Sequence, residues 1–410
     1  MRILHINKFL WLSGGVERYL FDVADAFEAR GHEVLYFSQA DPRNRVTAQD
    51  DYFVPSVEYT DSSLAQKIGR AKTILERTLY SREVKDKLAA LIRDCKPDVA
   101  HVHQLYHHLS PSVLDALTEA GVPVVQTVHD YKLICPNYRL YIPQEQEICT
   151  RCVSGDYSHC RKHKCLKEST AASALATFEM QYHKRKQFYE RAVDQFICTT
   201  HFVQSQLSKS PLGNDKLTHL PLYINLDAYT PTDVHENYLC YVGRLAPEKG
   251  VLTLIRAMQS NPDTTLKIIG DGPARADCEA LIAELGLRNA EVLGFLERDA
   301  MTQVLGRSSG LVIPSEWYEP CGLTAWEAHA LARPVIGAKI GGIPESIKEG
   351  KSGLLFESGN AVDLAEKIAW LMAHPEESKA MGQAGYAQVH KTCDAHYEGL
   401  MEIYTEVLKH

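Results

Sequence analysis

The chain has 410 residues, 45% of them hydrophobic and 23% charged, with a formal net charge of −8. These proportions suit a folded globular protein and exclude a disordered one; no run of 18 apolar residues exists to span a membrane, and the acidic balance argues against a nucleic-acid partner. The length suits two or three domains, and eleven cysteines behind a start with no secretory leader are expected to be reduced thiols in the cytoplasm, not a disulfide framework.

In chain order, short apolar runs read as buried parallel strands at 2–6, 33–37, 99–102, 122–127, 195–198 and 217–220. Helical stretches lie between them at 15–30, 83–95, 110–120 and 170–192. Past residue 236 the alternation resumes, with strands at 238–241, 266–269, 291–293, 310–313 and 334–337. Helices are expected near 250–259, 274–285, 322–331, 360–373 and 376–390, with a last one from 395. Such alternation implies parallel sheets covered by helices on both faces. The polar, turn-rich stretch 222–236 reads as the linker between two α/β halves. A ligand site then belongs at the carboxyl ends of the strands, in the crevice between domains.

Charge divides unevenly along the chain. Through residue 230 there are 28 basic against 27 acidic side chains, and beyond it 16 against 25. The stretch 131–191 holds 11 basic against 6 acidic residues, Arg161, Lys162 and Lys164 among them. That excess reads either as a solvated mixed-charge face or as one drawn to an anionic membrane surface.

Three motifs carry chemistry. Ser13-Gly14-Gly15-Val16-Glu17-Arg18 turns the first strand into the first helix, where glycines let the backbone approach a ligand and the new helix offers N–H groups to an anion. It lacks the spacing of a dinucleotide fingerprint. Gly243-Arg244 ends a strand, and Lys249-Gly250 follows; a planar guanidinium and a movable ammonium suit the oxygens of a diphosphate. The most informative segment runs from Pro314 through Glu319, Gly322, Leu323, Thr324 and Glu327. Here two carboxylates stand eight positions apart around a helix start whose first N–H groups and dipole favour phosphate. Glu327 is placed to accept from ribose hydroxyls, and Glu319 to hold a sugar hydroxyl or stabilise positive charge at a reacting carbon. His129 ends a strand at the expected cleft. His101 and His103 also end a strand, with side chains on one face, where packing is the favoured reading and acceptor contact the other. No Asp-x-Asp motif occurs.

With Gly270-Asp-Gly-Pro273 and Gly341-Gly342-Ile-Pro-Glu345, this ordered set resembles the family-4 retaining glycosyltransferases over nearly the whole chain. The resemblance implies a GT-B fold, an α/β architecture of two Rossmann-like, doubly wound parallel-sheet domains. Residues 1–225 would form the acceptor-side domain and 226–394 the nucleotide-sugar domain, with the helix 395–410 packing back on the first. It further implies that Glu319, His129, Lys249 and Arg244 act on the transferred sugar and its leaving group. Gly14, Gly15, Gly243, Arg244, Lys249, Phe295, Glu319, Gly322, Leu323, Thr324 and Glu327 would hold the donor, with Phe295 against the nucleobase.

The expected reaction moves a sugar from a UDP- or GDP-sugar to an acceptor hydroxyl with retention, in the synthesis of a cell-surface polysaccharide, lipopolysaccharide or glycolipid. No cofactor is required for it. The expected partners are the nucleoside diphosphate sugar, a glycan or lipid-linked acceptor, and the inner face of the membrane in peripheral contact. A sugar-nucleotide epimerase and a non-catalytic sugar-nucleotide-binding subunit are the competing readings. The stretch 131–168 breaks the alternation and reads as an inserted loop in need of a staple. Cys149 and Cys152 have the spacing of a zinc knuckle, and with Cys160 and Cys165 they form a candidate four-thiolate zinc site, Cys135 able to replace one member. A reduced, metal-free loop is the other reading of the same residues.

Overall fold

A computed structural model describes residues 1–57 and 64–409, with the side chains of 64–71 left aside. Two six-stranded sheets organise it, and every pairing within them is parallel. The first sheet has the spatial order Leu217–His219, Gln195–Cys198, Val124–Val128, Val99–Val102, Arg2–Ile6, Glu33–Phe37. The second runs Ala290–Gly294, Thr265–Ile269, Tyr238–Val242, Gly310–Ile313, Val335–Ala338, Gly353–Phe356. Numbered along its own half, the second reads 3-2-1-4-5-6, the doubly wound order that binds nucleotides where the winding reverses. That reversal falls between Tyr238–Val242 and Gly310–Ile313, the two strands that lead into Arg244 and Glu319.

Helices cover both faces of the sheets, and Val99–Val102, Val124–Val128, Gly310–Ile313 and Val335–Ala338 are buried along their whole length. The helix Gly15–Glu28 shows how a helix earns its place. Tyr19, Leu20, Val23, Ala24 and Phe27 recur at helical spacing and are all buried. Elsewhere Gln187, held at φ 53°, separates Thr170–Lys186 from Phe188–Ala192, so the single helix expected over 170–192 is two. The strand Gly353–Phe356 and the helices His201–Leu207 and Arg298–Arg307 are elements that the sequence pattern had not resolved.

The largest departure is at the C-terminus. Instead of two helices there is one, Pro375–Val407, of 33 residues. Its first part packs Met381, Val389 and Cys393 into the core of the second lobe. Its last part packs Leu400, Tyr404 and Val407 against Ile3, Tyr19, Phe27 and Val99 of the first. Tyr404 Oη lies 2.6 Å from His101 Nδ1, and His396 Nε2 lies 3.2 Å from Tyr19 Oη. Between Cys393 and Leu400 the chain contains no proline, and the single Gly399 weakens the helix without ending it. The last residue, His410, lies outside the described residues. Among those described, no helix is long and apolar enough to cross a membrane.

The inserted stretch is less formless than its sequence suggests. It contains a two-stranded antiparallel hairpin, Tyr141–Ile142 with Glu147–Ile148, and a short helix, Ser158–Lys162. A buried ion pair roots it, with Lys132 Nζ donating to Glu179 Oε2 at 2.8 Å.

Candidate functional site

The second lobe supplies most of the site. Tyr238–Val242 ends at Gly243, and a turn of 3-10 helix, Pro247–Lys249, presents the lysine. Gly250 follows at φ 67°, where an added Cβ would lie 1.9 Å from the carbonyl oxygen of Pro314. Only glycine lets this turn lie against the Glu319 loop. Lys249 Nζ donates to both carboxylate oxygens of Glu319, each at 2.9 Å. Trp317 Nε1 at 2.7 Å and Ser315 Oγ at 3.2 Å donate to Oε2 of the same carboxylate, and the Lys249 ammonium lies 5.1 Å from the Trp317 ring centre. The two motifs, seventy positions apart, thus meet in one hydrogen-bonded unit.

Arg244, its side chain about half exposed, donates to the buried Glu248 at 2.6 Å. Arg139 reaches the same Glu248 oxygen at 3.3 Å from the inserted stretch of the first lobe. Gly322 precedes the helix Leu323–Ala330, and no side chain caps that start. Glu327, one and a half turns inside, is 3% exposed. Arg18 donates to its Oε1, as does Tyr229 Oη at 3.0 Å.

The first lobe closes over this surface. Gly15 stands opposite the helix start, where an added Cβ would come within 2.9 Å of Leu323 Cδ2. Gly14 is extended (φ 179°) and exposed. His129 is half-buried at the end of Val124–Val128, with Nε2 3.0 Å from His103 Nδ1. His103 continues through Nε2 to His5 Nδ1 at 3.1 Å. Burial holds the His129 imidazole neutral, its pKa pushed down to about 3, and does the same for His5. His101 and His103 are buried, and their rings stack 4.5 Å apart. Tyr131 ends the same segment, and its buried hydroxyl has no hydrogen-bond partner among the described residues. After burial, the Glu319 carboxylate is the charge that most strongly keeps that phenol protonated. Phe295, beyond Ala290–Gly294, is 70% exposed.

The structure therefore joins Lys249 to Glu319, Gly15 to Leu323 at the helix start, and Glu327 to Arg18 of the first lobe, with His129 against Tyr19 of the first helix. Sequence reasoning did not single out Arg18, Arg139, Tyr229, Glu248, Trp317 or Tyr131. Arg18, Glu248 and Trp317 lay inside the motifs already quoted. Arg139 and Tyr229 arrive from an insertion and a linker and had no local signal. Toward the outer edge, Trp11, Leu12, Phe21, Arg18, Arg43 and Arg298 line an open groove of about 590 Å³ beside the Arg18–Glu327 contact.

Comparisons with known proteins agree with this architecture. The glycosyl transferases group 1 family matches residues 226–388, and Glycosyltransferase Family 4 matches residues 13–228. The chain belongs to the family-4, group 1 glycosyltransferases, and its fold is GT-B. A glycosyltransferase of Methanocaldococcus jannaschii is 32% identical over 208 residues, 49% of this chain and 57% of that protein. The sulfoquinovosyl transferase of Arabidopsis thaliana is 34% identical over 154 residues, 37% of this chain and 29% of the relative. These matches span little more than half, or less, of the relatives' own lengths. Among solved structures, sucrose-phosphate synthase from Thermosynechococcus elongatus superposes with a TM-score of 0.71 at 19% identity, covering 100% of this chain and 99% of the other. HepE of Anabaena in complex with UDP superposes with a TM-score of 0.68 at 17% identity, covering 99% and 100%.

Proposed function

We propose that this protein is a retaining glycosyltransferase that moves a sugar from a UDP- or GDP-sugar to an acceptor hydroxyl, in the assembly of a cell-surface polysaccharide, lipopolysaccharide or glycolipid. The observation that carries the reading is the meeting of Lys249 with Glu319 in the second lobe, together with an uncapped helix start whose Leu323 faces Gly15 of the first. Two cations, Lys249 and Arg244, and oriented N–H groups meet the charge that develops on a departing diphosphate. Lys249 moves part of its hydrogen bonding from Glu319 to the phosphate, and the carboxylate it leaves faces the sugar. Glu327 accepts from the ribose hydroxyls and shares that load with Arg18 and Tyr229. His129, neutral and held by His103, hydrogen-bonds the transferred sugar.

No side chain stands as an obvious nucleophile. The acceptor hydroxyl attacks the anomeric carbon from the face the diphosphate leaves, and the leaving phosphate oxygen takes the proton. The C–O bond to phosphate breaks as the C–O bond to the acceptor forms, so configuration is retained. The basic stretch 131–191, on the acceptor-side lobe, suits an anionic acceptor or the inner membrane face.

The first probes follow from fold neighbours solved with UDP-glucose and with UDP beside alpha-GlcNAc-glycerol. A thermal-shift screen of nucleoside diphosphate sugars should raise the melting temperature of the wild type with one base. Lys249→Ala and Glu319→Ala should lower turnover of that donor by about 100-fold or more, the size expected for a lost charge contact to the transition state, with unchanged circular dichroism. Wild-type turnover in either variant would remove the assigned roles, and an inverted product by NMR would remove the mechanism.

A further inference from the structure

Five of the cysteines fall between residues 135 and 165, and the donor site uses none of them. Cys135, Cys149, Cys152, Cys160 and Cys165 all line one cavity, with Asn137, Tyr141 and His159 at its edge. Its volume is about 10 Å³, room for a single small occupant and far too little for a sugar. All five thiols are free. Cys160 and Cys165 hydrogen-bond one another through their side chains. Cys152 is buried and lies close enough to Cys135, Cys149 and Cys160 to feel the charge of each.

Ile134, Leu140 and Val153 anchor the segment in the core of the first lobe, and around the remaining thiols its own packing is small. Its local cluster is Cys152, Tyr157, Cys160 and Met180, with Cys165 and Leu166 against it, and its regular structure is a hairpin of two-residue strands and one five-residue helix. Yet Arg139, between Cys135 and Cys149, is positioned well enough to reach Glu248 in the opposite lobe at 3.3 Å. A cross-link among the thiols would fix this outer part of the segment more firmly.

We propose that this cavity is a structural zinc site, closed by four of the five thiolates with Cys152 among them. Zinc takes four sulfurs at about 2.3 Å in a tetrahedron, and the two-residue spacing of Cys149 and Cys152 is that of a zinc knuckle. Each ligating thiol gives up its proton to solvent as the ion binds. The thiols stand more loosely than the bound state requires, and coordination draws them together and fixes the root of Arg139. Two other clusters of described residues already bring ligand atoms within 4.8 Å of one another, His5–His101–His103 and His201–His219–Glu345. In both, several of these groups are already engaged within the protein. His101 bonds Tyr404 and Thr127, His5 bonds His103, and the Glu345 carboxylate takes the backbone N–H groups of His201 and Phe202.

The test uses the full chain, purified reduced and by a route free of immobilised metal, with elemental analysis and a mercurial titration that releases bound zinc to an indicator dye. The expected result is about one zinc per chain, lost in Cys152→Ser. Of Cys135→Ser, Cys149→Ser, Cys160→Ser and Cys165→Ser, three should lose the ion and one should keep it. If Cys152→Ser does not fold, chelator-treated wild type provides the second measurement. It should take up one zinc with release of protons and recover its melting temperature. Wild type with no metal and no zinc uptake, wild type holding iron instead, or Cys152→Ser with full zinc each overturns the proposal.

Discussion

A carboxylate that is 3% exposed needs an answer to its charge, because an unpaired buried ion costs several kcal/mol. Glu327 has two, Arg18 from the first lobe and Tyr229 from the linker, so the carboxylate proposed to take the ribose is held in place before any ligand arrives. Gly15 is the complementary case, where what matters is the absence of a side chain. An added methyl there would lie 2.9 Å from the end of Leu323. The leucine tip can yield to one carbon but not to a branched group. Gly15→Val should therefore hold the lobes apart and cut kcat/KM by about tenfold or more, about 1.4 kcal/mol of transition-state stabilisation. Its melting temperature should stay within a degree or two, since Gly15 opens a helix at the surface. Steady-state kinetics beside calorimetry checks both halves of that expectation.

Among the elements, the helix His201–Leu207 is too short to persist by itself. Thr200 caps it, accepting from the Val203 N–H at 3.2 Å, and the same hydroxyl donates to the Pro320 carbonyl at 2.8 Å. Glu345 then reaches from the second lobe and accepts from the N–H groups of His201 and Phe202, both at 2.7 Å. A carboxylate at a helix N-terminus gains from the hydrogen bonds and from the dipole. The short helix is thus completed by the partner lobe, next to the Glu319 loop. Glu345→Ala should cost about 1 kcal/mol, as cap removals do, and loosen lobe closure. The cost should appear in urea unfolding, and Glu345→Gln should recover part of it because its amide oxygen still accepts.

For the whole molecule, burial of neutral histidines sets the response to acid. Burial lowers His5 and His129 to about 3, and His329 and His396 to about 4. In the unfolded chain each titrates near 6.5, so between about 4 and 6.5 the unfolded state binds protons that the native state refuses. Stability is then fully present above that window and falls as pH drops through it, by roughly 1.4 kcal/mol per pH unit for each group. Urea midpoints measured from pH 7.5 to 4.5 should decline steeply below about pH 6.5. His396 bridges Tyr19 and the Pro221 carbonyl from the helix that joins the lobes. Its replacement by glutamine should flatten that decline.

Much of this was legible in the chain, and the reasons differ by feature. Strand and helix periodicity, glycine turns and the run from Pro314 to Glu327 are local patterns, and these the amino-acid order determines by itself. Two α/β lobes and the meeting of the paired motifs followed from them. The unbroken terminal helix escaped notice because charged residues interrupt its apolar rhythm where it crosses from one core to the other. Only tertiary structure decided which groups answer which charges. Arg18 meets Glu327 across 309 positions and Arg139 meets Glu248 across 109. Such pairings are set by how the two sheets face each other, and the energy that selects them is long-range burial, which leaves no periodic mark on the residues nearby.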